Sequence, residues 1–200
     1  MKNVTINLKK GILMLAMSAT VMGFSNNLNN PIINKEAKKS AITFINVKKG
    51  NVLTIKDIYG TKLYKEMIDH SGIYTKGFDL SALPNGDYFF EMNKDLEINT
   101  IPFTVFSNDV IFKEENESKI FKPVTRVEND LVFVSKLALD NESLNIRIFY
   151  KTENEGFELV HSEVIEENKT INRIFKLSEK GNYKIVYHSQ GREFTENINN

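Results

Sequence analysis

The segment Leu83-Pro84-Asn85-Gly86-Asp87-Tyr88 constrains this chain more than any other, because it marks a corner that leads into a strand and returns in weaker form near the C-terminus. Pro84 presets φ, and Gly86 is expected to take the positive φ of a tight turn. Tyr88, Phe90 and Met92 then share one face of the next strand, since side chains alternate across a pleated backbone. Upstream, Leu53 and Ile55 alternate with polar neighbours, Tyr59-Gly60-Thr61 supplies a turn and Leu63-Tyr64 begins another β-prone run, which together read as a hairpin. The same order returns from Ser143 to His188. Leu144, Ile146, Ile148 and Tyr150 alternate, a β-prone run over 157–164 follows, and Gly181-Asn182-Tyr183 leads to Ile185 and Tyr187. Two copies at a spacing of roughly 90 residues indicate an internal duplication.

Beyond residue 25 no helical period persists over ten residues. Short apolar runs punctuated by turns predict strands over 41–47, 52–58, 62–68, 74–80, 87–92 and 100–106, then over 120–127, 131–137, 144–150, 157–164, 170–177, 183–188 and 193–198. Pro102 lies in the sixth run, which suits an edge or a bulge better than a central strand. The polar stretch 26–40 reads as a flexible leader, and the acidic stretch 109–118 reads as a linker between a domain at 41–108 and a domain at 119–200. Each domain is large enough for one modest core.

The Gly-x-Tyr pair at Gly86 and Tyr88, and again at Gly181 and Tyr183, resembles the tyrosine corner of immunoglobulin-like and fibronectin-like sandwiches, where a Tyr at the start of a strand hydrogen-bonds to nearby backbone. The resemblance implies an all-β fold of two tandem sandwich domains. Where antibody-type domains place a Cys two residues after the Tyr, this chain has Phe90 and Ile185, so apolar packing stands in for a disulfide. Ile55, Asp57, Gly60 and Leu63, with Asp79-Leu80-Ser81, Leu83, Gly86 and Tyr88, also resemble the β-sandwich sorting domain of type IX secretion cargo in the Bacteroidetes and related small secreted domains. This second resemblance implies export and a sandwich. Because about a hundred residues follow Tyr88 and the tail lacks a basic, apolar finish, it does not carry the sorting role with it.

Residues 1–25 combine Lys2, Lys9 and Lys10 with an apolar run from Gly11 to Phe24, the pattern of a cleaved secretory signal peptide. That run is shorter than the roughly 20 residues of a spanning helix, so no stable membrane insertion of the mature chain is expected. No Cys is present, which excludes a lipoprotein anchor, disulfides and thiolate chemistry. The charges balance over the whole chain, but three lysines and no acids lie in residues 1–25. The remainder is mildly acidic, which argues against nucleic acid as a partner. A periplasmic or secreted location follows, with a protein or glycan ligand and an oligomeric state that composition leaves open.

His70, His161 and His188 lack metal-ligand spacing, and Asp57, Asp79 and Asp87 lack a calcium-loop pattern. Glu114-Glu115 and Glu166-Glu167 match glycosidase carboxylates in composition alone. No nucleophile elbow or phosphate-cradling Gly loop occurs. The expectation is therefore no catalytic residue, no cofactor and no metal. Tyr59, Tyr64 and Tyr74 are candidates for an exposed aromatic binding surface, weighed against a place in the core. The function expected is an exported binding or scaffolding module. Its alternatives are a secretion or cell-surface component and a hydrolase with an interdomain site.

Overall fold

The computed structural model describes residues 32–36, 39–152, 156–166 and 169–200. Residues 1–25, where a signal peptide is expected, lie outside them. The chain divides into two compact units between Ile120 and Phe121.

In the first unit, β1 (Ile32–Glu36), β2 (Lys39–Val47) and β5 (Gly72–Phe78) form a sheet in the order β1-β2-β5. A second sheet runs β4-β3-β6-β7-β8, from β3 (Val52–Asp57), β4 (Lys62–Met67), β6 (Gly86–Asn93), β7 (Glu97–Phe106) and β8 (Asp109–Phe112). Every register given within these two sheets is antiparallel. Alternation places Ile42 and Phe44 of one sheet in a single buried cluster with Leu53, Ile55, Phe90, Met92 and Phe103 of the other. That shared cluster makes the pair of sheets a sandwich. Phe90 sits at its centre, with ring centroids 5.2 Å from both Phe78 and Phe103. Fully burying a side chain of this size stabilises by roughly 1.5–3 kcal/mol.

The second unit repeats the arrangement. β10 (Val124–Glu128), β11 (Leu131–Leu137) and β14 (Thr170–Lys176) form the sheet β10-β11-β14. β12 (Leu144–Thr152), β13 (Gly156–Ile165), β15 (Asn182–Ser189) and β16 (Arg192–Asn199) form the sheet β13-β12-β15-β16. Val132, Val134 and Phe175 from one sheet and Ile146, Ile148, Ile185 and Tyr187 from the other share its core. Three strands facing a larger ladder, in the same chain order in both units with β8 and β9 added to the first, is the immunoglobulin and fibronectin class of sandwich.

Four features differ from the sequence reading. Residues 26–40 are not wholly a leader, because β1 pairs with β2 from Ile32↔Thr43 to Glu36↔Lys39. Nor is 109–118 a linker. β8 continues the larger sheet of the first unit and puts Phe112 into its core, a 3-10 turn spans Glu114–Asn116, and β9 (Ser118–Phe121) pairs with β7. The acidic residues misled because they occupy the turn and exposed positions between apolar anchors. The single strand read over 120–127 is two, interrupted at Lys122-Pro123, where proline has no N–H to continue a ladder. Pro102 lies on a strand with neighbours on both sides, and the ladder to β8 stops at Phe103↔Phe112, one residue short of it.

Candidate functional site

Both tyrosine corners are built from the same bond. The Tyr88 hydroxyl donates to the Pro84 carbonyl at 2.8 Å, and the Tyr183 hydroxyl donates to the Glu179 carbonyl at 3.0 Å, each four residues upstream. The glycines differ. Gly86 is not at positive φ, contrary to expectation; it opens β6, and a Cβ there would only touch the Tyr88 ring at 3.5 Å. Gly181 has φ +143°, and a Cβ would come within 3.0 Å of the Tyr150 ring, so the second corner needs glycine on two counts.

The three candidate surface tyrosines do not form a platform. Tyr74 is 6% exposed within the first core, and Tyr64 packs edge-on against Phe78 at 5.3 Å. Tyr59 alone stands in solvent, 87% exposed, on the turn that Asp57 caps by accepting the backbone N–H groups of Tyr59 and Thr61. Period two explains the division: Tyr64 and Glu66 share the inner side of β4, while Leu63 and Met67 face outward.

Tyr64, Glu66, Tyr74 and Lys76 instead close the open side of the first sandwich, where edge strand β4 meets edge strand β5. Lys76 Nζ donates to Glu66 at 2.6 Å and to the Tyr64 hydroxyl at 2.7 Å. Tyr74 donates to the same carboxylate at 2.9 Å, and Tyr64 bonds it too. Lys76 first, then the Tyr64 hydroxyl, hold the Glu66 carboxyl below the usual carboxylate value. The second sandwich has a seam at the corresponding place, between β13 and β14. Arg173 Nε donates to Glu163 at 2.8 Å, and the His161 ring lies tilted against Phe175, 5.1 Å between centroids, with its Nε2 3.9 Å from Glu163. Burial pushes the His161 imidazole below its usual value against the pull of Glu163. Of the other two histidines, His70 pairs with Asp69 on an exposed turn and His188 with Glu193. Among the described residues, no three His, Asp or Glu side chains converge as a metal site.

The arrangement that sequence reasoning missed lies on the outer face of the second sandwich. Phe149 on β12 is opposite Lys184 on β15, and Lys151 is opposite Phe157 on β13. Lys184 Nζ lies 5.0 Å from the Phe149 ring centroid and 4.7 Å from that of Phe157, a cation held against two aromatic faces. Among the described residues, neither Lys151 nor Lys184 has a carboxylate partner. Beside them, Lys151, Phe157, Asn182, Asn197 and Asn199 help line a shallow cavity of about 310 Å³. The alternation of Tyr183, Lys184 and Ile185 already puts Lys184 outward. What the sequence did not show is how far β12 and β13 extend. They span nine and ten residues, against six and six for β3 and β4, and the extra length carries Lys151 and Phe157 past the corner.

No protein-family model matches this chain, and no curated protein matches it. Among solved structures, the FN1–FN3 domains of chicken CNTN1 align over 84% of this chain and 65% of theirs, with 11% identity and a TM-score of 0.28. The BSP domain of a biofilm associated protein aligns over 84% of this chain and 28% of its own, with 9% identity and a TM-score of 0.26. The chain thus spans less than two thirds of either. Its class rests on its own strand order and corners rather than on these likenesses.

Proposed function

We propose that this chain is an exported, non-enzymatic binding protein that presents its ligand contacts on a sandwich face. One observation carries the reading. Lys184 lies between Phe149 and Phe157, without a carboxylate partner among the described residues, beside a cavity lined by asparagines. Aromatic faces, a free cation and amides are recognition chemistry. Two ion-paired groups, Glu66 with Lys76 and Glu163 with Arg173, bridge sheet edges, which is a structural use of charge. Export is supported by the basic and apolar pattern of residues 1–25.

Two measurements test this reading. Intact mass of the native protein from periplasm, outer membrane and medium should match residues 26–200 in a soluble extracytoplasmic fraction. A form that loses its C-terminal portion on reaching the medium would instead make the chain secretion cargo. Incubation of the mature protein with glycan and peptide libraries should give retention without product, and turnover of any member would overturn the non-enzymatic reading.

A further inference from the structure

The two sandwiches carry one cross-strand pair in opposite senses. Aligning the corners matches the register Asp57↔Tyr88 with Tyr150↔Tyr183, so Lys56 and Phe89 occupy the positions of Phe149 and Lys184. In the first sandwich the cation is neutralised: Lys56 donates to Glu91 at 2.7 Å, and their side chains are only 15% and 5% exposed. The position of Glu91 is taken in the second sandwich by Val186. There the cation has no carboxylate beside it, and the long hairpin supplies a second ring instead. Next to Lys184 across the ladder is Asn197, and next to Asn182 is Asn199. None of these three amides has a side-chain hydrogen-bond partner among the described residues.

We infer that the outer face of β12, β13, β15 and β16, centred on Phe157 and Lys184, binds acidic glycans. This rests on the binding-protein reading above and names its ligand. Phe157, 40% exposed, offers a flat apolar surface to the C–H face of a pyranose ring. The amides of Asn182, Asn197 and Asn199 each offer two donors and an acceptor, the complement that vicinal hydroxyls require. Lys184 and Lys151 answer an anionic substituent on the ring, and a charge-assisted hydrogen bond to it would replace water rather than break an internal ion pair. At about 310 Å³ the cavity lies at the small end of the roughly 300–1,000 Å³ typical of ligand sites, which suits one residue of a chain that continues along the face. A neutral glycan would leave both ammonium groups unanswered.

The test is calorimetric titration of the full mature protein with a galacturonic acid hexasaccharide, its methyl ester, a chondroitin sulfate hexasaccharide and polyglutamate. The galacturonate or the sulfated oligomer should bind, with Phe157→Ala and Lys184→Met each raising Kd by about tenfold or more. Val186→Glu, which puts a carboxylate two residues from Lys184 on the same strand and opposite Arg147, should weaken binding, and Tyr59→Ala should leave Kd unchanged. Melting curves confirm that the variants are folded, and the exposed Lys151→Gln provides a further variant whose effect does not depend on packing. Equal binding of the methyl ester removes the role of charge, and equal binding of polyglutamate removes the glycan; either overturns the inference. A protein that binds neither acidic oligomer but retains a neutral glycan or a protein overturns the inference and leaves the binding reading standing. Hydrolysis of a probe overturns both.

Discussion

The outer faces of the two sandwiches share a ladder and differ in what the ladder does with its lysine. In the first, Lys56 lies 5.9 Å from the Phe89 ring and is closed off by Glu91, itself 4% exposed. In the second, the lysine and phenylalanine have changed strands and Val186 stands where the carboxylate would be. A longer hairpin then sets Phe157 over the cation. Inside, the two units are much alike: the same order of strands, the same corner, and the same seam of a Glu on one edge strand and a cation on the other. Packing demands are therefore met twice in one way, while the lysine of the outer face is ion-paired in one copy and lacks a carboxylate partner, among the described residues, in the other.

If the interiors are equivalent, equivalent lesions should cost alike. Tyr88→Ala and Tyr183→Ala should each destabilise their own sandwich by about 3–5 kcal/mol, as aromatic truncations do in cores. Tyr88→Phe and Tyr183→Phe keep the packing and remove the hydroxyl's bonds, one at Tyr88 and two at Tyr183, for about 1 kcal/mol per bond. Denaturant melts of the full chain, resolved by hydrogen exchange on peptides from each half, give both numbers. Unchanged stability in either alanine variant would break the equivalence.

The faces should respond unequally. Glu91→Val gives the first sandwich the residue of the second and strands Lys56 in a largely buried place, at about 3 kcal/mol. Lys184→Met removes a cation that no carboxylate answers among the described residues, so only its contact with two rings is lost, about 1 kcal/mol. Equal costs would mean that Lys184 is as much a structural residue as Lys56, and the face would lose its claim to be open.

The corners and the alternating strands were legible because period two and Gly-x-Tyr are local signals, and they placed Tyr88, Phe90, Tyr183 and Ile185 inward as observed. Gly86 departs from expectation because Pro-Asn-Gly reads as a turn with positive φ, whereas the chain has already entered β6 at that residue. Tyr64 and Tyr74 stay divided in the sequence between surface and core, because their strands look polar on both sides. Only the meeting of β4 and β5 turns their polar sides toward one another. The Phe149, Phe157 and Lys184 group could not be read from the chain, since Phe157 and Lys184 are 27 residues apart and their approach depends on hairpin length and register.

The seams offer the subtlest contrast, because they share a geometry and differ in the group that titrates. Glu66 is held below its ordinary value of 4.5, so its contribution is complete above that pH and is lost as pH falls from there through the lower folded value. His161 is buried and pushed below its ordinary value of 6.5. Below 6.5 the unfolded imidazole takes up a proton that the folded one resists, so the second sandwich begins to lose stability some two pH units earlier on acidification. Around His161 stand Glu163, which favours the charged form, and Arg173, which already occupies that carboxylate at 2.8 Å. Glu163 is thus a weakened partner for an imidazolium, and desolvation prevails. Hydrogen exchange on the full chain, corrected for intrinsic rates, should show β13 and β14 losing protection as pH falls below 6.5 while β4 and β5 hold until below 4.5. His161→Phe, which keeps a ring against Phe175, should remove the early loss and leave the later one in place. If both seams open together, or the first opens before the second, the charge on His161 does not set the order.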